Sequence, residues 1–319
     1  MRYVPILGAV TLFLYFVLTV RDFKINDEAA GARLKRNFLA AHILKERQQT
    51  QMKVKAVMLN TYRPSFEGLA QFMNDPQSFD KNNFREYRQY YQRVVEYFPA
   101  LAEGHVMLGV CDYYLGKGDL AVESFKKGLS INPELLWLNY NLGAVAFNQG
   151  NFSQAASFFF KVISGHPRDT LKYLSTSQVY RQILAGSKIS NQALTEKLKT
   201  DYRDSFRYLA LSFYHLKIFP DMFKISLQAV ERQMDNDGEF YFYAGVAAFE
   251  MKQYAQAVSL FQEALKYNTD AQTYQYLAKA LKSLGREDAA STFLQKSVAL
   301  EKSNGIKDFR QVRAELKIF

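Results

Sequence analysis

A set of five residues that returns at one offset constrains this chain more than any other feature. Leu108, Gly109, Ala121, Phe125 and Pro133 recur as Leu142, Gly143, Ala155, Phe159 and Pro167, each displaced by the same interval. Self-similarity at a period of about 34 residues marks stacked supersecondary units, each unable to bury its apolar face alone. The same internal spacing returns in Ala244-Gly245, Ala257 and Phe261, then in Leu277-Ala278, Ala290 and Leu294, and more loosely in Leu209-Ala210, Met222 and Ser226.

The spacing has a physical reading. Gly109, Gly143 and Gly245 sit where two helices would cross, and Ala121, Ala155 and Ala257 match them from the second helix. Small residues at a crossing let the two helices approach closely. Gly116-Lys117-Gly118-Asp119, Gln149-Gly150-Asn151 and Leu284-Gly285-Arg286 supply the tight turns inside hairpins. Pro133 and Pro167 stop the second helices and redirect the chain.

This pattern resembles the tetratricopeptide repeat family, whose unit is a helix-turn-helix of about 34 residues carrying Leu-Gly, Ala, an aromatic and Pro at these intervals. The resemblance covers residues 102–169 well and 203–304 moderately, and it implies an all-α solenoid. "NNFREYRQYYQRVVEYFP" fits the second helix of an earlier, degenerate unit, so the solenoid is expected over residues 66–304. Residues 170–202 have room for one divergent unit but lack its small-residue signature, so an irregular insertion is the alternative. Residues 305–319, with Phe309, Val312 and Leu316 spaced by three and four, are expected to form a helix capping the last unit. Two positions depart from the family pattern: the early aromatic is His105 and Asn139 in the first two clear units, and the internal tyrosine is Asp112 and Ala146.

In this family the first helices of successive units line a concave groove. Carried over position by position, the groove register gives Glu103, Val106, Val110 and Tyr113, then Trp137, Tyr140, Ala144 and Phe147. It continues through Asp204, Arg207, Leu211 and Tyr214 to Glu239, Phe242, Val246 and Phe249, and ends at Gln272, Gln275, Lys279 and Lys282. Such a face is apolar and aromatic until its last unit and suits an apolar peptide or helix of a partner protein, with aromatic anchors. Packing of these residues into the core is the competing reading. The Lys and Asn set by which some members hold a C-terminal carboxylate is missing, since Val106 and Val110 occupy the first-unit positions and only Asn141 matches.

The N-terminus carries a different message. Residues 4–20, "VPILGAVTLFLYFVLTV", are uncharged and lie between Arg2 and Arg21, long enough to span a bilayer as a helix. No small-x-small site follows directly, so residues 1–24 read as an uncleaved transmembrane anchor, with a cleaved signal as the alternative. Residues 25–65 read as a basic juxtamembrane helix or linker. Of the net charge of +10, the stretch from Met1 to Asn60 contributes ten Lys/Arg against four Asp/Glu, which suits contact with anionic lipid headgroups. Arg21, Lys24, Arg33, Lys35 and Arg36 favour a cytoplasmic soluble part by the positive-inside rule, with an extracytoplasmic one as the alternative.

No catalytic constellation stands out. His42, His105, His166 and His215 occupy unrelated repeat positions without partners at metal-ligand spacing, and the one cysteine, Cys111, excludes an internal disulfide. "GVCDYYLGK" has the wrong glycine spacing for a phosphate loop. The expectation is therefore a membrane-anchored, non-enzymatic interaction scaffold needing no metal or cofactor. An enzyme with a site around residues 170–202, or an RNA-binding helical repeat, are the rivals; the latter lacks a basic track, since the groove offers Arg207, Lys279 and Lys282 alone. "SFFFK" leaves one open position. Phe159 falls on the repeat's core register, whereas Phe160 falls outside it and is a candidate for a convex contact.

Overall fold

The computed structural model describes residue 45 and residues 81–176, 191–304 and 308–317. The chain divides into two compact units, Met1–Thr61 and Tyr62–Phe319. The expected anchor, the basic linker apart from Lys45, and residues 66–80 of the expected solenoid lie outside the described residues. Among the described residues no helix is long and apolar enough to cross a membrane.

The second unit is an all-α solenoid. Helix α1 (Lys81–Tyr97) packs on α2 (Ala102–Tyr114), as the last helix of a preceding unit would. Antiparallel pairs follow: α2 with α3 (Gly118–Ile131), and α4 (Leu136–Asn148) with α5 (Phe152–Ser164). After α6 (Pro167–Thr176) come α7 (Asn191–His215) with α8 (Phe219–Glu231), α9 (Glu239–Glu250) with α10 (Tyr254–Tyr267), and α11 (Ala271–Ser283) with α12 (Glu287–Asn304).

The crossing residues do what their sizes dictate. A Cβ on Gly109 would stand 2.5 Å from the Phe125 ring, and one on Gly245 would stand 2.6 Å from Phe261. At Gly143 the corresponding contact with Phe159 is 3.0 Å. Each glycine thus receives the flat face or edge of the second helix's core ring, and Phe125, Phe159 and Phe261 are fully buried. The hairpin turns repeat as well. The residue in the left-handed region is Gly at 116, 150 and 285, but Lys217 and Lys252 take that place in the α7/α8 and α9/α10 hairpins.

The departure at the early aromatic position has a cause. His105 Nε2 lies 3.2 Å from the Pro99 carbonyl, and Asn139 Nδ2 donates to the Pro133 carbonyl at 3.4 Å. Two polar side chains at one repeat position thus contact the carbonyls of equivalent prolines.

Of the stretch 170–202, the structure describes residues 170–176, in α6, and 191–202, in α7. Helix α7 runs unbroken for 25 residues and packs directly on α5, so among the described residues the α7/α8 hairpin lies against the α4/α5 hairpin. No Gly or Pro occurs between Asn191 and His215 to stop the helix upstream of the expected start. Pro167 lies just past the end of α5 and opens α6 at its first position, where its missing N–H costs nothing.

The expected terminal helix is absent from the described part of 305–319. Phe309–Gln311 form one 3-10 turn and residues 312–317 are non-helical. Val312, Ala314 and Leu316 alternate with the exposed Arg313 and Glu315, the two-residue period of an extended chain.

Candidate peptide-binding groove

The extended C-terminal segment contacts the inner helices of the solenoid. Its contacts begin at α11, where Gln272 Oε1 accepts from the Phe309 backbone N–H at 3.3 Å. The Phe309 ring sits among Tyr214, Phe242, Tyr243 and Tyr276, with centroids 5.1–6.2 Å away, mostly edge-on. Edge-on aromatic packing adds roughly 0.5–1.5 kcal/mol per pair beyond the area it buries.

Two asparagines on α4 then hold the backbone. Asn148 Oδ1 accepts from the Ala314 N–H at 2.8 Å while its Nδ2 donates to the Ala314 carbonyl at 2.7 Å. Asn141 treats Lys317 identically: 2.8 Å from the Lys317 N–H to Oδ1, and 2.7 Å from Nδ2 to the Lys317 carbonyl. The two asparagines are two helical turns apart and so share one face of α4. Tyr208 adds a bond from its hydroxyl to the Arg313 carbonyl at 3.3 Å. Ala314 and Leu316, pointing inward between these bonds, are buried.

The segment ends in a charged pocket. Lys317 Nζ lies 3.0 Å from Asp204 Oδ2 and 3.5 Å from Asp201 Oδ1, and 5.9 Å from the centre of the Tyr140 ring. Asp201 is fully buried; its other oxygen accepts from the Trp137 indole N–H at 3.0 Å, and Lys197 approaches to 3.5 Å. Burial pushes the Asp201 carboxyl up, and Lys197, Lys317 and the Trp137 bond pull it part of the way back. Burial works against the charge on Lys317, but the two aspartates outweigh it and hold the ammonium above its ordinary range. Next to them Arg207 makes two bonds to Glu239, at 2.6 and 2.7 Å, and one to Asp204 at 2.9 Å. Arg203 bonds Asp237 and Glu239.

Most residues of the carried-over groove register are buried or half-buried. Val106, Trp137 and Tyr140 are fully buried, and Phe147 and Phe242 nearly so. Tyr140 packs on Phe159, and Phe147 packs on Phe152 and Tyr208. Tyr113 and Tyr214 are half-buried and touch the segment, Tyr113 through Arg313 and Tyr214 through Phe309. Phe249 is half-buried against Tyr254 and Tyr276. Arg207 is held by its carboxylates and gives no basic track. At the other end Tyr173 of α6 donates to Glu103 at 2.8 Å, so α6 reaches back to the first clear unit.

The sequence pattern does not single out Asn148, Asp201 or the segment itself as parts of a site. The usable signal is Asn141 and Asn148 on one helical face, matched by the alternation Val312, Ala314, Leu316. Phe160 is 55% exposed on α5 while its neighbour Phe159 is buried. Among the described residues no group of three or more His, Cys, Asp or Glu side chains could hold a metal ion. Cys111 is buried, and burial raises its thiol far above the ordinary range, which makes it a poor nucleophile.

A family profile described as a tetratricopeptide repeat matches residues 248–306, spanning α10, α11 and α12. The fold is a tetratricopeptide-like solenoid. A TPR repeat-containing protein of Methanocaldococcus jannaschii is 22% identical over 254 residues, covering 74% of this chain and 40% of that protein. A CTR9 homolog of Arabidopsis thaliana is 23% identical over 238 residues, 70% of this chain and 22% of its own length. The chain thus spans less than half the length of either relative. Among solved structures, that of pilF from Pseudomonas aeruginosa has a TM-score of 0.49 at 13% identity, covering 79% of this chain and 96% of its own. That of PilW, a type IV pilus biogenesis factor, has a TM-score of 0.49 at 14% identity, over 80% of this chain and 97% of its own.

Proposed function

We propose that this protein is a bilayer-anchored interaction scaffold whose concave face holds an extended peptide of a partner while a complex is assembled or escorted. The observation that carries this reading is the pair of side-chain amides, Asn141 and Asn148, each giving one donor and one acceptor to the backbone of an extended segment. A helix cannot use such amides, because its own N–H and C=O groups are already bonded to each other. The occupant is therefore an extended chain, where the sequence allowed either a peptide or a helix. Backbone bonds of this kind give affinity without regard to sequence, and the pockets between them give selection.

The bilayer part of the proposal rests on the uncharged run 4–20 between Arg2 and Arg21. The basic flank after it draws the chain to anionic headgroups and keeps the solenoid on the cytoplasmic side. Turnover plays no part in this mechanism; shape and burial do the work.

Crosslinking of the full chain in its native cells tests the groove, comparing wild type with Asn148→Ala and Asn141→Ala. A discrete partner set that is lost from both variants, with far-UV circular dichroism unchanged, supports the proposal. An identical crosslinked set in all three removes the groove from it. Alkaline extraction and protease protection of the same cells test the anchor and its side; release of the full chain into the supernatant refutes the anchor.

A further inference from the structure

The pocket around Lys317 is built more carefully than a chance surface contact. Counting the linked side chains, Asp201, Asp204, Asp237 and Glu239 stand against Lys197, Arg203 and Arg207. Without Lys317, Lys197 balances the fully buried Asp201, and one uncompensated negative charge is left on the neighbouring group that includes the buried Asp204. An unpaired charge in such a place is costly, so the pocket demands a cation from whatever lies over it. The Tyr140 ring forms an aromatic wall, and its buried hydroxyl finds no hydrogen-bond partner among the described residues.

Register is fixed at the same spot. Asn141 holds both the N–H and the carbonyl of residue 317, so the residue whose backbone is clamped is the one whose side chain enters the acidic pocket. Upstream positions are then set by the length of an extended chain. Leu316 fills the buried site immediately before it, Ala314 the narrow site at Asn148, and Phe309 the aromatic site at the far end.

We propose that Asp201 and Asp204 form a reading pocket for a lysine or arginine of an extended partner segment, and that residues 309–317 are the resident competitor this segment displaces. This inference rests on the peptide-binding reading above and adds the chemistry of the ligand and its control. The partner carries an aromatic residue, a small residue, a leucine and a basic residue in the register Phe-x4-Ala-x-Leu-Lys. The pocket's charge excludes an acidic residue at the last position. Occupation by the chain's own segment keeps the groove closed until a better or more concentrated segment arrives, and the resident's effective concentration sets that threshold.

The test uses the full chain and a fluorescein-labelled peptide of the sequence IKDFRQVRAELKIF, which is that of residues 306–319. Lys317→Glu and, independently, Phe309→Ala loosen the resident segment while leaving the pocket carboxylates intact; circular dichroism verifies their fold. Both loosened chains are expected to bind the peptide at least tenfold more tightly than wild type. The same peptide with glutamate in place of the lysine that corresponds to Lys317 is expected to lose at least tenfold, and so is the original peptide on a loosened chain that also carries Asp204→Asn. Equal binding of the lysine and glutamate peptides overturns the cation-reading pocket and leaves the peptide groove standing. No binding of either peptide to folded, loosened chains overturns both. A loosened chain that pairs with itself in light scattering instead of taking up peptide makes a second copy the occupant and overturns the partner segment.

Discussion

Adding a single methyl group at Gly109 tests the crossing geometry on which the whole stack depends. In an open helix, Gly→Ala stabilises by about 1 kcal/mol, because Ala loses less backbone entropy. Here the new Cβ would stand 2.5, 2.7 and 2.9 Å from three atoms of the Phe125 ring, which is fully buried. Overpacking a closed core costs about 1–3 kcal/mol. The sum for Gly109→Ala is a net loss of up to about 2 kcal/mol. Gly245→Ala, with a contact of 2.6 Å to Phe261, follows it, whereas Gly143→Ala, at 3.0 Å from Phe159, falls near zero because a small ring shift relieves it. Denaturant unfolding followed by circular dichroism measures the series. The double variant Gly109→Ala, Phe125→Leu removes the opposing ring and is expected to recover about 1 kcal/mol relative to additivity. Stabilisation by Gly109→Ala equal to that of an open helix, with no coupling to Phe125, would refute the close crossing and with it the physical reading of the repeat.

Lys217 and Lys252 hold a left-handed backbone that glycine holds in the other hairpins. Replacing either by Gly removes a strain of about 1–2 kcal/mol and adds unfolded-state entropy, for a net gain of about 0.5–1 kcal/mol in the same unfolding assay. Trp137→Phe removes the indole donor from the buried Asp201 carboxylate and is expected to cost about 1.5–3 kcal/mol, read by thermal melting; a change within about 0.5 kcal/mol would contradict that role. Acid should loosen the terminal segment. Docking brings the Lys317 ammonium to Asp201, so the docked state binds fewer protons than the undocked one, and docking weakens as pH falls through the undocked carboxyl value. That value lies above the ordinary carboxylate value of 3.8, because burial raises Asp201 even with Lys317 in place. A nitroxide on Gln311→Cys should therefore gain mobility in electron paramagnetic resonance between neutral pH and pH of about 4. Unchanged mobility, or greater mobility at high pH, would contradict the pocket's role.

The solenoid was legible because its signal is local and repeated. Gly109 with Phe125 and Gly143 with Phe159 state the same contact one repeat apart, and either copy corroborates the other. Exposure along the expected groove was not legible. Tyr140, Phe147 and Phe242 fall on the groove register but are buried, and so are Phe309, Ala314 and Leu316 of the terminal segment. The terminal segment was not legible as an extended chain. Phe309, Val312 and Leu316 fit a helix by spacing, while Val312, Ala314 and Leu316 fit an extended chain equally well. What decides between them is a pair of asparagine amides on α4, far away along the chain. No window of local sequence contains that information. The α7 extension is hidden for the opposite reason: nothing in residues 191–202 stops a helix, and the family period speaks louder than that silence.

Hydrogen exchange at the backbone amides of Ala314 and Lys317 in the full chain tests the central claim most directly. Both amides lie in a non-helical segment and donate to side-chain oxygens, Ala314 to Asn148 and Lys317 to Asn141. Protection comparable to the inner helices in wild type, lost at Lys317 in Asn141→Ala and at Ala314 in Asn148→Ala, is the predicted result. Exchange at unprotected rates in wild type would contradict a concave face that holds an extended peptide.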